Sequence, residues 1–132
     1  MLERTGKKTF TIMVSRSPYD SRNSESALKF CYAALEAGHA INQVFFYQSG
    51  VHCASSFITP PSDELNMHNE WVTLNTKYNI KLNVCNTAAS RRGIVNEDAS
   101  LSTNINVNKP FIMTGLSDYF SALNSGEVNV QF

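Results

Sequence analysis

The sequence has few cysteines, and they are widely spaced. Its 132 residues include only Cys31, Cys53 and Cys85, and no two of them form a CxxC pair. A disulfide framework needs an even and denser set, and a structural zinc site needs closely spaced ligand pairs. We therefore expect any cysteine function to be thiol chemistry at one residue, with no metal and no organic cofactor.

The sequence also lacks net charge, long apolar runs and the common phosphate-binding loops. Eleven basic side chains balance eleven acidic ones, so no overall field draws the chain to nucleic acid or to an anionic membrane. No apolar run approaches the roughly 20 residues of a membrane-spanning helix, and residues 10–14 are too few for a signal-peptide core. None of the motifs GxGxxG, GxxxxGKS/T and GxSxG occurs. The first two absences favour a cytoplasmic protein outside the membrane. Without a phosphate-binding motif, only the fold class would support nucleotide binding.

What the chain does contain is an alternation of short apolar runs with segments of helical period. Such alternation implies right-handed crossovers between parallel strands, with helices on both faces of the sheet. We therefore predict an α/β fold, a single-domain three-layer α/β/α sandwich with a mostly parallel five-stranded sheet. Residues 1–8 are expected to form a flexible tail before a domain of residues 9–132. The predicted strands are residues 9–14, 41–47, 80–84, 111–114 and 128–132.

The helix boundaries follow from capping residues and charge. Acidic residues 63–64 suit the positive end of a helix, and glycine or asparagine ends one readily. Residues 86–93 are predicted to form a short helix or tight loop, and residues 96–110 a polar surface excursion. The predicted helices run from a cap at Asn23 or Ser24 to Gly38, from residues 63–64 to Asn79, and over residues 116–123 to a stop at Gly126.

Cys85 is the candidate catalytic residue because it directly follows the third predicted strand. In parallel sheets, chemistry gathers where the carboxyl ends of the strands open into loops. A helix amino end after Cys85, with Arg91 and Arg92 nearby, would stabilise a thiolate and also a persulfide anion. The small side chains of residues 86–90 leave room for an additional sulfur. The alternative is that Cys85 is a small buried hydrophobe and that both arginines are solvated charge.

The other cysteines and the histidines are weaker candidates. Cys31 lies on the apolar stripe of the first helix and is expected in the core. Cys53 follows the second strand, close to the open edge of the sheet, where it would be a second thiol. His52 on the same rim would donate a hydrogen bond or a proton to a sulfur intermediate if it reaches Cys85, with a plain surface histidine as the alternative. The remaining histidines do not support a metal site.

Taken together, several stretches resemble the DsrE-like sulfur-relay family, and within it the TusD branch. Each stretch is short, but their order and spacing are specific, and the likeness runs from about Lys8 to Phe132. Residues 1–7 extend beyond the usual start, and neither His52 nor Cys53 belongs to the family pattern. The stretches are FFYQSGV at 45–51, PSDE at 61–64, Trp71 with Leu74, LNVC at 82–85, AASRRG at 88–93, GL at 115–116 and VQF at 130–132.

The resemblance implies that Cys85 corresponds to the active cysteine of the family, which receives persulfide sulfur from one carrier and passes it to another. In the TusD branch the donor is TusA, the acceptor is TusE, and the sulfur ends in 2-thiouridine at the tRNA wobble position. The resemblance further implies a hexamer with two copies each of TusB-, TusC- and TusD-like subunits. The balanced charge of the chain fits contact with proteins and no direct tRNA binding.

Two alternatives remain open at this point. One keeps the chemistry and changes the pathway: a DsrE-type subunit that serves dissimilatory sulfur oxidation in an assembly with DsrF and DsrH. The other is a non-catalytic interaction subunit, in which Cys85 is inert and the chain only completes an oligomer.

Overall fold

The computed structural model describes residues 6–96, 105–123 and 127–132. Gly126 and most of the predicted excursion at residues 96–110 lie outside the described residues. The strands are β1 (Thr9–Val14), β2 (Ala40–Phe46), β3 (Leu82–Cys85), β4 (Phe111–Thr114) and β5 (Val128–Gln131). The helices are α1 (Asn23–Glu36), a 3₁₀ helix (Gln48–Ala54), α2 (Met67–Tyr78), α3 (Asn86–Ser90) and α4 (Leu116–Ser121).

The five strands form one sheet in the order β4-β3-β2-β1-β5. Every strand pair in the described part of the chain is parallel. Strands β1 to β4 lie side by side in chain order, and the connection that contains α4 returns the chain to the far side of β1. The predicted parallel α/β architecture is therefore confirmed, and all five carboxyl ends meet at one edge.

Helices cover both faces of this sheet, because successive side chains of a strand point to opposite sides. On one side, the Phe46 ring meets the Trp71 ring of α2 edge-on at 5.2 Å between centroids, and α1 packs beside α2. On the other side, the Phe45 ring lies 4.7 Å from the Tyr119 ring of α4. We call these the α2 face, which carries Phe46, and the α4 face, which carries Phe45. They give the three predicted layers.

The ends of α2 show that its last residue could be predicted from the sequence and that its first residue could not. Asn79 adopts the left-handed conformation at φ 56° and ends α2, as predicted. The start of α2 was placed wrongly, since the helix begins after Asn66, whose side chain accepts a hydrogen bond from the Asn69 amide at 3.0 Å. The acidic residues 63–64 precede that cap. An uncharged acceptor thus satisfies one of the free amides of the first turn.

The 3₁₀ helix after β2 was not predicted, although Gly50 was expected to end the strand region. A Cβ atom at Gly50 would lie 2.0 Å from the Val14 carbonyl oxygen, so only glycine lets this helix pack on the end of β1. The 3₁₀ helix also contacts β3 and α3 and forms a wall at the carboxyl edge. Within the described residues, no helix combines the length and the hydropathy needed to cross a bilayer.

Candidate active site

Cys85 is the last residue of β3 and the residue directly before α3. Its backbone is extended, with φ −64° and ψ 116°, and the helix starts at Asn86. The side chain is 3% exposed, and the thiol forms no hydrogen bond with any described residue. The strand therefore delivers a thiol without a hydrogen-bond partner to the carboxyl edge of the sheet, directly before the amino end of α3, where the unpaired helix amides carry a partial positive charge.

The cross-strand neighbour of Cys85 is Thr114, the last residue of β4. Asn83, two residues before Cys85, pairs with Phe45 of the α4 face. By alternation, Cys85 and Thr114 also point to the α4 face. The Thr114 hydroxyl oxygen is buried and has no hydrogen-bond partner among the described residues.

The α4 face beside Cys85 is polar and incompletely covered. The Asn83 amide nitrogen donates to the Gln43 side-chain oxygen at 2.9 Å. A cavity of about 170 Å³ between the sheet and α4 is lined by both of these residues, by Thr114 and by Asp118. Asp118 is held in place because its carboxylate accepts a hydrogen bond from the Gly115 amide at 3.1 Å. Chain atoms thus leave open space on this side of the sheet beside Thr114, the register partner of Cys85.

The two arginines that follow α3 lie at the end of that helix opposite Cys85. The Arg92 guanidinium donates to the Ala88 carbonyl at 2.9 Å and so caps the last turn of α3. Arg91 is exposed and forms no ion pair within the described residues. No described contact joins either arginine to Cys85. Their role in stabilising a Cys85 anion stays a prediction, which rests on their positive charges alone.

Cys53 and Cys31 occupy a different environment from Cys85. Cys53 was expected near the open edge, but it is fully buried. Its sulfur lies 3.3 Å from the Ser24 hydroxyl oxygen. That oxygen accepts a hydrogen bond from the Trp71 indole nitrogen at 3.1 Å. Burial raises the pKa of the Cys53 thiol to about 12. Cys31 lies in the core, as predicted, and burial likewise raises its pKa to about 12. Both thiols are protonated and shielded at neutral pH.

Of His52 and His68, the second makes structural contacts, and no described contact joins either to Cys85. His52 is partly exposed on the 3₁₀ helix, and no described contact joins it to Cys85. His68 has a partner that the sequence did not indicate: its Nδ1–H donates to the Cys53 carbonyl at 3.0 Å, and its ring stacks on Phe111 at 5.0 Å between centroids. Among the described residues, no cluster of three or more histidine, cysteine or acidic side chains could hold a metal ion.

Thr114 is the residue of this site that sequence reasoning missed. The signal was present, because Thr114 ends the fourth strand as Cys85 ends the third. Aligning the carboxyl ends of neighbouring parallel strands would have paired the two residues.

Comparison with known proteins decides the family. The model of the DsrE/DsrF-like family matches residues 8–132, nearly the whole chain. The chain belongs to the DsrE/DsrF-like family. The family resemblance inferred from the short stretches is thereby confirmed.

Relatives within the DsrE/DsrF-like family align over almost their full length. Sulfurtransferase TusD of Buchnera aphidicola subsp. Acyrthosiphon pisum (strain 5A) is 36% identical over 126 residues, which are 93% of this chain and 98% of the relative. Sulfurtransferase TusD of Proteus mirabilis (strain HI4320) is 37% identical over 127 residues, 94% of this chain and 98% of the relative. A protein of Allochromatium vinosum that carries the name DsrE is 39% identical over 116 residues, 86% of this chain and 89% of the relative.

The fold has a counterpart among solved structures. The crystal structure of the ychN protein from E. coli superposes with a TM-score of 0.76 at 17% identity, covering 96% of this chain and 100% of the other. At that identity the likeness supports the fold and carries no statement on activity. The names of the sequence relatives support the expected sulfurtransferase activity.

Proposed function

We propose that this sulfurtransferase carries sulfur as a persulfide on Cys85. The observation that carries the proposal is the position of Cys85, whose unpaired thiol ends β3 at the carboxyl edge of the sheet, directly before α3 and on the α4 face. Cys31 and Cys53, by contrast, are fully buried thiols with pKa values of about 12. Only one of the three cysteines thus has surroundings suited to sulfur exchange.

The transfer is an exchange between a thiolate and a persulfide. The Cys85 thiolate attacks the outer sulfur of a donor persulfide, the new S–S bond forms, and the donor's own S–S bond breaks. The bonding electrons leave with the donor sulfur, which becomes a thiolate and takes up a proton, so the exchange needs no external oxidant or reductant. An acceptor cysteine then repeats the step on the Cys85 persulfide. Because Cys85 is 3% exposed, donor and acceptor require a local opening of its cover.

The proposed partners are those that the resemblance to the TusD branch implies. We assign a TusA-like donor, a TusE-like acceptor and TusB- and TusC-like subunits in a hexamer with two copies of each subunit. The end product is 2-thiouridine at the tRNA wobble position, and the tRNA is contacted by other components. A cytoplasmic location fits this relay, since the thiols of that compartment are kept reduced.

A second pathway is favoured by one specific observation. The DsrE-named protein of Allochromatium vinosum is 39% identical, against 36% and 37% for the two TusD proteins above. Identity alone does not separate the two branches. Loss of tRNA 2-thiouridine after deletion of the gene would support the TusD assignment, whereas normal thiolation with impaired sulfur oxidation would support the DsrE assignment.

The test of Cys85 is mass spectrometry of the intact protein after incubation with a low-molecular-weight persulfide. We expect one added sulfur on the wild-type chain and none on Cys85→Ser. Cys31→Ala is the matched control, and it should still load. Equal loading of Cys85→Ser would disprove the assignment, and an unreactive Cys85 in the wild-type chain would favour the non-catalytic interaction subunit.

A further inference from the structure

The buried hydroxyl of Thr114 requires an explanation. Among the described residues, its oxygen and the Gln43 side-chain nitrogen are the buried side-chain polar atoms without a hydrogen-bond partner. Leaving such a group unpaired costs stability, so an unpaired buried hydroxyl in a folded chain often marks a functional requirement. The two atoms line the same cavity between the sheet and α4.

Only the Thr114 hydroxyl lies at the level of Cys85. Thr114 and Cys85 are register partners at the ends of β4 and β3. Gln43 lies one residue before Val44, which pairs with Leu82, and therefore stands four residues before the level of Cys85. At roughly 3.3 Å per residue, this separation is about 13 Å along the strands. The Gln43 amide is thus too far from the sulfur to take part.

The register of β3 and β4 places the Thr114 side chain next to that of Cys85. Neighbouring strands lie about 4.8 Å apart, and paired side chains on one face stand next to each other. The Thr114 hydroxyl forms no hydrogen bond with the resting Cys85 thiol. A second sulfur lengthens the Cys85 side chain by about 2 Å. The outer sulfur of a persulfide is therefore a candidate partner for this hydroxyl, which has no partner while Cys85 is a thiol.

We propose that the Thr114 hydroxyl donates a hydrogen bond to the outer, anionic sulfur of the Cys85 persulfide. This rests on the proposed function and adds a second residue to it. A hydrogen bond to a charged acceptor is stronger than one between neutral groups. Threonine is suited to this role because its branched side chain has few rotamers on a strand, so the hydroxyl is held in place before the sulfur arrives. The bond stabilises the stored persulfide and directs its outer sulfur toward the α4 face.

The test compares Thr114→Val, which keeps the shape and removes the hydroxyl, with Thr114→Ser, which keeps the hydroxyl. The full-length variants are loaded with a low-molecular-weight persulfide, the donor is replaced by a low-molecular-weight thiol that accepts the outer sulfur, and the fraction carrying added sulfur is followed by mass spectrometry. We expect Thr114→Val to lose its sulfur about 10-fold faster than wild type, the effect of one charge-assisted hydrogen bond. Thr114→Ser should stay within about 2-fold of wild type.

Two further readouts separate this role from a structural one. The melting temperature of Thr114→Val should equal or exceed that of wild type, because the variant removes an unpaired buried hydroxyl. The alkylation rate of the unloaded Cys85 thiol should not change, because the hydroxyl forms no hydrogen bond with that sulfur. Wild-type persistence of the persulfide in Thr114→Val, an equal defect in Thr114→Ser, or a changed alkylation rate would each overturn the proposal. Failure of wild type to load at Cys85 would instead overturn the proposed function.

Discussion

The two faces of the sheet place the same residue type in opposite environments. On the α2 face, Phe46 and Trp71 are fully buried against each other, and Cys53 is enclosed beside Ser24. The α4 face is only partly covered: it holds a polar cavity, and Ile112 remains 55% exposed. Cys85 belongs to this second face. A closed apolar layer disfavours a charged thiolate, whereas the register partner of Cys85, Thr114, lines a polar cavity.

The largest expected difference between the faces is in thiol reactivity. With pKa values of about 12, Cys31 and Cys53 are thiolates in only about one molecule in ten thousand at pH 8. We expect iodoacetamide to label Cys85 first in the native protein, read by peptide mass spectrometry, and the native Cys85→Ser variant to stay unlabelled until denaturant is added. Native labelling of Cys53 before Cys85 would contradict the comparison.

The next contrast is in stability. Trp71→Ala removes a fully buried ring from the α2 face together with the hydrogen bond to Ser24, and it should lower the free energy of unfolding by about 3–5 kcal/mol. Phe120→Ala on α4 is the matched control, since that ring is 59% exposed, and it should change the value by no more than about 0.5 kcal/mol. Urea denaturation measures both. Equal losses would show that the two faces contribute alike.

The smallest expected effect is a pH dependence that arises at the α2 face. Burial lowers the pKa of His68 below its ordinary value, and the hydrogen bond to the Cys53 carbonyl opposes this only in part. The unfolded chain therefore binds more protons near and below pH 6.5, so the free energy of unfolding is highest above that pH and falls as pH decreases. His68→Gln should flatten this slope between pH 8 and pH 5 in urea titrations. An unchanged slope would show that another group causes it.

Much of the fold could be predicted because its signals are local. The alternation in residues 9–14 depends on adjacent residues, and so does the left-handed end of α2 at Asn79. The burial of Cys53 could not be predicted, since it depends on Ser24 and Trp71, which are far away in the chain. The 3₁₀ helix was missed for the same reason, because it requires the close approach of Gly50 to Val14.

The sequence by itself determined that Cys85 ends a strand of a parallel α/β sheet, because periodicity and turn residues specify strand ends through neighbours along the chain. Only the tertiary structure decided which face receives its side chain and that Thr114 stands beside it. The physical reason is that the register of β3 against β4 and the cover by α4 arise from contacts between distant segments. Those contacts enclose Cys31 and Cys53 in the core and place Cys85 beside Thr114, whose buried hydroxyl has no hydrogen-bond partner among the described residues.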